Sequence, residues 1–516
     1  YKVNNELKEA KKEDYLLKRH YLEVNDDPLS PLQEQNCIAT DNMSFEDIVN
    51  GINSGEESKE MTATHAARKI LTRECEPPID ILINANVVPK LVQFLSHVNN
   101  PDLQLESVRA LTKIVTGTSD QTQAVVTAEA VDGFMSLLGS PHPVVVEIAV
   151  RALGNIAGEG PELKKVLRSK ASIPGFIFLL GSPNPVVKSL RGVTWTLANL
   201  CDKTIPRVLI VQQILPALIQ LIHNDDDEIV DPACLALTRL TSDFENDFEI
   251  RYERIQEVVD AGFVPRLVAL LNPNEASFYA LMTICNIVSG SDAQTDSVLA
   301  AGVCPLLAKL LVNTGMFIIE YAARTVSEIA AGNETQIQAL VTNNVIRPLV
   351  DVLSNVDFEC QKQASRAITN IACGGNVEQI ALLYEFGAIA PLCTYILETK
   401  EPKTIVVELD GLANILAAAE KMGECAKVSL HVKECGLLDR IGVLLRHDDI
   451  KIHPKSLAIL ERYFSTNVNY SILLLIFRLF FDDYHSCSHS ECLFDNLTIA
   501  EIFESYFYFY FSYFFI

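Results

Sequence analysis

Five asparagines, Asn155, Asn199, Asn286, Asn370 and Asn414, recur at one phase of a repeated phrase, and Trp195 stands four residues ahead of one of them. An Asn amide carries both donors and an acceptor, which suits it to the backbone of an extended peptide. Residues at i and i+4 share a helix face, so such pairs repeated along stacked helices predict a ladder that reads a peptide. Indole faces between rungs would hold the aliphatic stems of Lys or Arg, with cation–π attraction for their heads. Bond-making chemistry has no candidate group: the P-loop, GxSxG elbow, HExxH and dinucleotide GxGxxG patterns are missing, and the ten histidines form no nucleophile–base arrangement. The sequence reads as a non-enzyme without a cofactor. His485, Cys487, His489 and Cys492 are crowded enough to ligate zinc, but their spacing fits no established finger, and a disordered, coincidentally Cys/His-rich tail is the preferred reading.

Helices must hold these side chains in phase. The phrase runs as RALTKIVTG from Arg109, RALGNIAG from Arg151, WTLANLC from Trp195, LALTRLT from Leu235, MTICNIVSG from Met282, RTVSEIAAG from Arg324, RAITNIACG from Arg366 and DGLANILAA from Asp410, at intervals of 40 to 47 residues. Armadillo and HEAT units have this period. A second phrase precedes it, as in VVPKLVQFL at 87–95, ILPALIQLI at 214–222, GFVPRLVALL at 262–271, GVCPLLAKLL at 302–311 and VIRPLVDVL at 345–353. Its apolar residues fall at i, i+3, i+4 and i+7, one buried helix stripe, and its proline suits a first helical turn. No stretch alternates with period 2, so no sheet is expected. The prediction is an all-α armadillo-repeat solenoid, a right-handed superhelix of about nine to ten repeats, in which each unit buries its apolar face only against its neighbours.

Of the 516 residues 49% are hydrophobic, and the mean hydropathy of +0.18 excludes general disorder. A total of 42 Lys+Arg against 66 Asp+Glu gives a net charge of −24, which repels nucleic acid and anionic membrane and attracts a basic ligand. The 13 cysteines include no CxxC and follow no secretion signal, so they read as reduced, buried small hydrophobes.

The Asn-bearing phrase, with FEDIVNGINSG at 45–55, HAARKILTRECEPPID at 65–80, GTSDQTQAVV at 117–126, SPHPVVVEIAVRALGNIAGEG at 140–160 and LDRIGVLLRHDD at 438–449, resembles the importin alpha (karyopherin-alpha) family of nuclear import adaptors over residues 1–465. The early segment NNELKEAKKEDYLLKRH resembles the second half of that family's importin-beta-binding segment. The resemblance implies three partners: cargo proteins bearing nuclear-localisation signals, importin beta and a nuclear export receptor. It also implies shuttling between cytoplasm and nucleus. It implies a principal cargo site at Gly117, Thr122, Asn155, Glu159, Trp195 and Asn199, and a secondary one at Asn286, Val288, Thr295, Ser327 and Asn370. It assigns Lys8, Lys11, Lys12, Lys18 and Arg19 to docking on importin beta, and the basic run also to lying in the chain's own groove when no partner is present.

Where the family has tryptophan this chain has Arg109, Arg151, Arg324 and Arg366, and where it has asparagine this chain has Lys113 and Glu328. Slots for cations have acquired cations. Two like charges about 7 Å apart repel by roughly 0.6 kcal/mol in water and about 2.4 kcal/mol at an effective dielectric near ~20, and a lost cation–π contact removes about 0.5–2 kcal/mol more. Ordinary basic signals are expected to bind about tenfold more weakly or worse per altered slot, with less basic or partly acidic peptides preferred and Glu328 compensating partly in the secondary site. A competing reading pairs these arginines with acidic residues of the next repeat in a solvated network.

Residues 1–25 form the partial importin-beta-binding segment, whose six basic and five acidic groups leave −25 on the remainder. Residues 26–44 read as a linker, 45–465 as the armadillo domain and 466–516 as an atypical apolar tail. Because the chain opens at Tyr1, an upstream start and a lost targeting segment stay open. In the tail, VNYSILLLIFRLFF at 468–481 and SYFYFYFSYFFI at 505–516 depart from the polar, acidic ending of the family. The first run has 14 residues with Arg478 inside it, short of the ~20 that cross a bilayer. A membrane anchor is therefore not favoured, and a gene-model error or read-through after Ser465 is the expectation. The import adaptor has two rivals: a catenin-like cytoskeletal or adhesion scaffold, which shares the repeat without a basic N-terminal arm, and a divergent copy that holds importin beta with little cargo.

Overall fold

The computed structural model describes residues 43–464 except 74–76, 171, 182–186, 203, 243–247, 273–276, 314, 446 and 448. Among the described residues every regular element is helical and no strand occurs. The chain divides into two compact units between Leu382 and Leu383. Lys8, Lys11, Lys12, Lys18 and Arg19 lie outside the described residues, as do His485, Cys487, His489, Cys492 and both apolar runs of the tail.

In the first unit eight long helices recur: α1 (Glu57–Arg73), α2 (Pro101–Ile114), α3 (Pro143–Gly158), α4 (Val187–Leu200), α5 (Asp227–Thr241), α6 (Phe278–Val288), α7 (Met316–Ala330) and α8 (Phe358–Gly374). Each packs on the next, so they stand side by side as one row. Two further helices run between consecutive members, such as Ser119–Thr127 and Ala130–Leu137 between α2 and α3. Between α4 and α5 they are fused into Arg207–Leu221 by a π-helical step at Ile210–Ile214. The helices Val88–Phe94, Val264–Ala269 and Cys304–Leu310 start where the proline pattern predicts, with Pro in the first two positions. Their stripe residues Leu91, Phe94, Leu267, Leu307 and Leu310 are buried, each contributing about 1.5–3 kcal/mol. The chain enters this turn through a left-handed residue, Gly262 (φ +83°) or Gly302 (φ +84°), and Asn86 (φ +55°) and Asn344 (φ +56°) take the same place where glycine is absent.

The turn after a long helix is a capping box, Thr118 with Gln121, Ser291 with Gln294 and Asn333 with Gln336, and Asn376 and Gln379 make the same exchange. Each glutamine also reaches back one repeat through Nε2. Gln121 donates to Asp80 Oδ1 at 2.8 Å, Gln294 to the Tyr252 carbonyl at 3.0 Å, Gln336 to Asp296 Oδ1 at 2.8 Å and Gln379 to Gln338 Oε1 at 2.8 Å. Gly117, Gly290 and Gly332 leave room for that side chain, because a Cβ would stand 2.0, 2.0 and 1.7 Å from the glutamine Oε1.

The second unit, taken by itself, holds the helices Ile389–Glu398, α9 (Pro402–Lys421), Cys425–Glu434, Leu437–Leu444 and Ile452–Tyr463. Asn414 lies in α9, and Arg462 donates to Glu420 at 2.7 Å to join the last helix to α9. No single described helix is long and apolar enough to cross a membrane.

Candidate functional site

Of the predicted rungs, Asn155, Asn199, Asn286 and Asn370 fall at one phase of the row, on α3, α4, α6 and α8, each four residues after its anchor. Three rung amides donate across a repeat boundary to the carbonyl just ahead of the preceding rung. Asn199 Nδ2 reaches the Gly154 carbonyl at 3.2 Å, Asn286 Nδ2 that of Thr238 at 3.2 Å, and Asn370 Nδ2 that of Ser327 at 2.9 Å. The donor half of each amide thus joins two repeats. Oδ1 of Asn286 and of Asn370 accepts no hydrogen bond from the described residues. Oδ1 of Asn199 accepts from Arg239 Nη1 at 3.1 Å, and the same nitrogen donates to the Ala198 carbonyl at 2.7 Å. Asn199 is 1% exposed. Asn155 differs from all three, since its Nδ2 is buried and makes no hydrogen bond with the described residues. Arg239 is a site residue that the sequence reasoning passed over. It stands four residues after Leu235, the phase at which other repeats place asparagine.

The principal set spans two successive repeat junctions, α2 with α3 and α3 with α4. Trp195 is 6% exposed and lies against Gly154, where a Cβ would stand 2.2 Å from the indole. Glu159 caps the end of α3 and accepts from Ser119 Oγ at 2.7 Å, which brings it to the turn that holds Gly117 and Thr122. Thr122 is fully buried, and its hydroxyl points to the Val115 carbonyl at 3.4 Å. The secondary set separates into two groups. Buried Thr295 donates to the carbonyl of buried Val288, two residues after Asn286, at 3.1 Å. Ser327 and Asn370 form the other, bonded as above.

The arginines at anchor phase meet counter-groups. Arg109 Nη1 is 3.8 Å from Glu106 Oε1, Arg151 Nη2 donates to Glu147 Oε1 at 2.8 Å, Arg366 Nη2 is 3.5 Å from Glu328 Oε1, and Arg324 lies 5.8 Å from the Tyr321 ring centroid. These partners sit three or four residues earlier in the same helix, or for Arg366 in the preceding repeat. Glu106 also accepts from Arg68 Nε at 2.6 Å and contacts His65 Nδ1 at 3.0 Å, both on α1. Burial alone would raise its carboxyl, but the His65 hydrogen bond and the Arg68 charge outweigh burial and hold it below the usual carboxylate range. Between α3 and α5, Lys164 is held below its ordinary value first by burial and then by the charge of Arg239. Arg168 grips Asp202 there at 2.9 and 3.3 Å. Three cations against one carboxylate make this stretch of the face net positive within a strongly acidic chain. Lys113, at rung phase on α2, adds a half-buried cation.

Side-by-side three-helix repeats joined through rung amides have counterparts among known proteins. An armadillo/beta-catenin-like repeat model matches residues 75–116, 118–158, 205–242 and 333–373, and an atypical Arm repeat model matches 426–475. The chain is 40% identical over 425 residues to importin subunit alpha-1b of Oryza sativa subsp. japonica, covering 81% of this chain and 78% of that protein. It is 39% identical over 477 residues to importin subunit alpha-2 of Arabidopsis thaliana, covering 89% and 87%. The chain belongs to the importin alpha family. The crystal structure of an engineered protein shares the fold, with a TM-score of 0.70 and 27% identity over 81% of this chain and 98% of that one. Membership of the importin alpha family agrees with the all-α armadillo solenoid read from the repeat period, and with a non-enzymatic chain.

Proposed function

We propose that this importin alpha family chain is a nuclear import adaptor whose ladder face takes an extended peptide of its cargo and whose residues 1–25 dock on importin beta. The observation that carries the reading is the rung amides of Asn286 and Asn370 at one repeat phase, whose Nδ2 atoms donate across a repeat boundary and whose carbonyls are open to the N–H groups of a peptide backbone. Release of cargo through a nuclear export receptor and shuttling between cytoplasm and nucleus belong to the same proposal. The cargo is less basic than an ordinary localisation signal, because Arg109, Arg151 and Arg239 stand where lysine stems or rung contacts would lie. Glu106 and Glu147 reduce the charge that a ligand meets at two of those slots, so the penalty there is smaller than bare arginines would impose.

Replacing Arg109→Trp together with Arg151→Trp is expected to raise the affinity of the full chain for a lysine-rich peptide by roughly tenfold or more, measured by calorimetry. Unchanged affinity would sink the altered preference. Capture of importin beta by a peptide spanning residues 1–25 tests the docking assignment, and a failure to bind would favour a scaffold role.

A further inference from the structure

One rung between two asparagines is a carboxylate. Glu328 stands on α7 at the phase of Asn286 on α6 and Asn370 on α8. A carboxylate has no N–H, so it cannot make the bond to the preceding repeat that Asn286 and Asn370 make through Nδ2. Asn370 reaches to the residue just before Glu328, donating to the Ser327 carbonyl at 2.9 Å and to the Ser327 hydroxyl at 3.3 Å, which sets the two rungs side by side. Three acceptors therefore follow one another across α6, α7 and α8: Asn286 Oδ1, the Glu328 carboxylate and Asn370 Oδ1. The Glu328 side chain is 19% exposed, and its one ion-pair contact among the described residues is with Arg366, whose Nη2 lies 3.5 Å from Oε1.

Arg366 comes from the anchor phase of α8, four residues before Asn370. Its side chain is 51% exposed, and its distance to Glu328 is longer than that of a charge-assisted hydrogen bond. An ion pair at that separation with one partner largely in water holds weakly. Glu106 is the opposite case, buried and gripped by Arg68 Nε at 2.6 Å. The other charges of α7 and α8 lie apart from this pair: Arg324 is over the Tyr321 ring, while Glu320, Glu359 and Lys362 belong to the N-terminal halves of their helices.

We propose that Arg366 is an internal occupant of a cation subsite centred on Glu328: its guanidinium holds the place that a lysine or arginine of the bound peptide takes, and it swings into solvent when the ligand cation arrives. This assignment rests on the ladder-face reading and gives one rung the basic residue that Arg109, Arg151 and Arg239 discourage elsewhere on the face. A carboxylate between two amide oxygens selects a ligand group with several N–H donors and a positive charge. Because Arg366 is exposed and loosely held, it lowers the affinity for a cation without abolishing it. A neutral side chain at the same place gains nothing from its removal.

Fluorescence anisotropy of the full chain with a labelled extended peptide carrying one central lysine tests this, against the same peptide with glutamine in that place. Arg366→Ala is expected to tighten the lysine peptide about fivefold and to leave the glutamine peptide within about twofold. Glu328→Gln is expected to weaken the lysine peptide by about fivefold. In the Glu328→Gln chain, Arg366→Ala should change the lysine peptide by less than about twofold, since ligand and internal arginine no longer compete for a carboxylate. An equal gain in both backgrounds would make Arg366 a distant like charge and overturns the subsite, as does the absence of any gain in Arg366→Ala. Asn286→Ala with Asn370→Ala separates the two levels. If that variant leaves both peptides' affinities untouched, the ladder-face reading fails; if it weakens both while the Arg366→Ala gain persists in the Glu328→Gln chain, the internal-occupant assignment alone fails.

Discussion

On α2 and α3 the arginines at anchor phase each stand beside a carboxylate of their own helix, while from α6 to α8 exposed aromatic rings lie beside Arg324 and Lys362. Arg109 and Arg151 bring their carboxylates with them, Glu106 three residues and Glu147 four residues earlier. Arg239 spends one nitrogen on Ala198 and Asn199. In the second half Arg324 lies over Tyr321, and Lys362 has no ion-pair partner among the described residues. The contrast shows two ways of tolerating a cation at an aromatic slot. A carboxylate one turn back makes the position structural at Arg109 and Arg151, and at Arg324 the ring of Tyr321 one turn back lies against the guanidinium.

The largest test of that contrast concerns stability. Glu106→Gln leaves Arg68 and Arg109 facing a neutral group in a buried site, and urea denaturation is expected to show a loss of about 3–5 kcal/mol. Glu147→Gln, which breaks a partly exposed pair within one helix, is expected to lose only about 0.5 kcal/mol. Equal losses would erase the distinction between a buried anchor and a local pair. Acid sharpens the same point. The Glu106 carboxyl is depressed in the folded chain, so its contribution is complete above the unfolded glutamate value of about 4.3 and fades as pH falls through the lower folded value. The stability gap between the unaltered chain and Glu106→Gln should therefore hold from neutral pH to about 5 and shrink below about 4; a gap that widens in acid would contradict the assignment. The smallest effect concerns ligands. Arg239→Leu releases Asn199 Oδ1 and removes a cation, and a lysine-rich peptide should gain about threefold in affinity, the worth of one hydrogen bond.

The features that repeat were legible in the sequence, because proline at a first turn and the i, i+4 phase act within one repeat. The Glu106–Arg109 and Glu147–Arg151 pairs are equally local, written as ESVR and EIAVR. Contacts between units were not legible. Nothing near Asn199 in sequence tells that its amide will meet Gly154, that Trp195 will press on that glycine, or that Arg239 will take its carbonyl oxygen. The aromatic residues at the starts of α6 and α7 were not read from the sequence, since only the packing of those helices brings Phe278 to Phe317 and Tyr321.

The glutamine of each capping box has a consequence for how such a chain can change over generations. Gln121, Gln294, Gln336 and Gln379 each plug into a socket on the unit before, and each brings its own turn with it. A crossover that deletes or duplicates the stretch between two of these turns would splice compatible ends, since plug and socket keep the same form. The turns after α3 and α4 open instead on Gly160 and Pro206, so units there are not exchangeable parts. Gain or loss of a unit should be tolerated near the ends of the first row and punished in its middle.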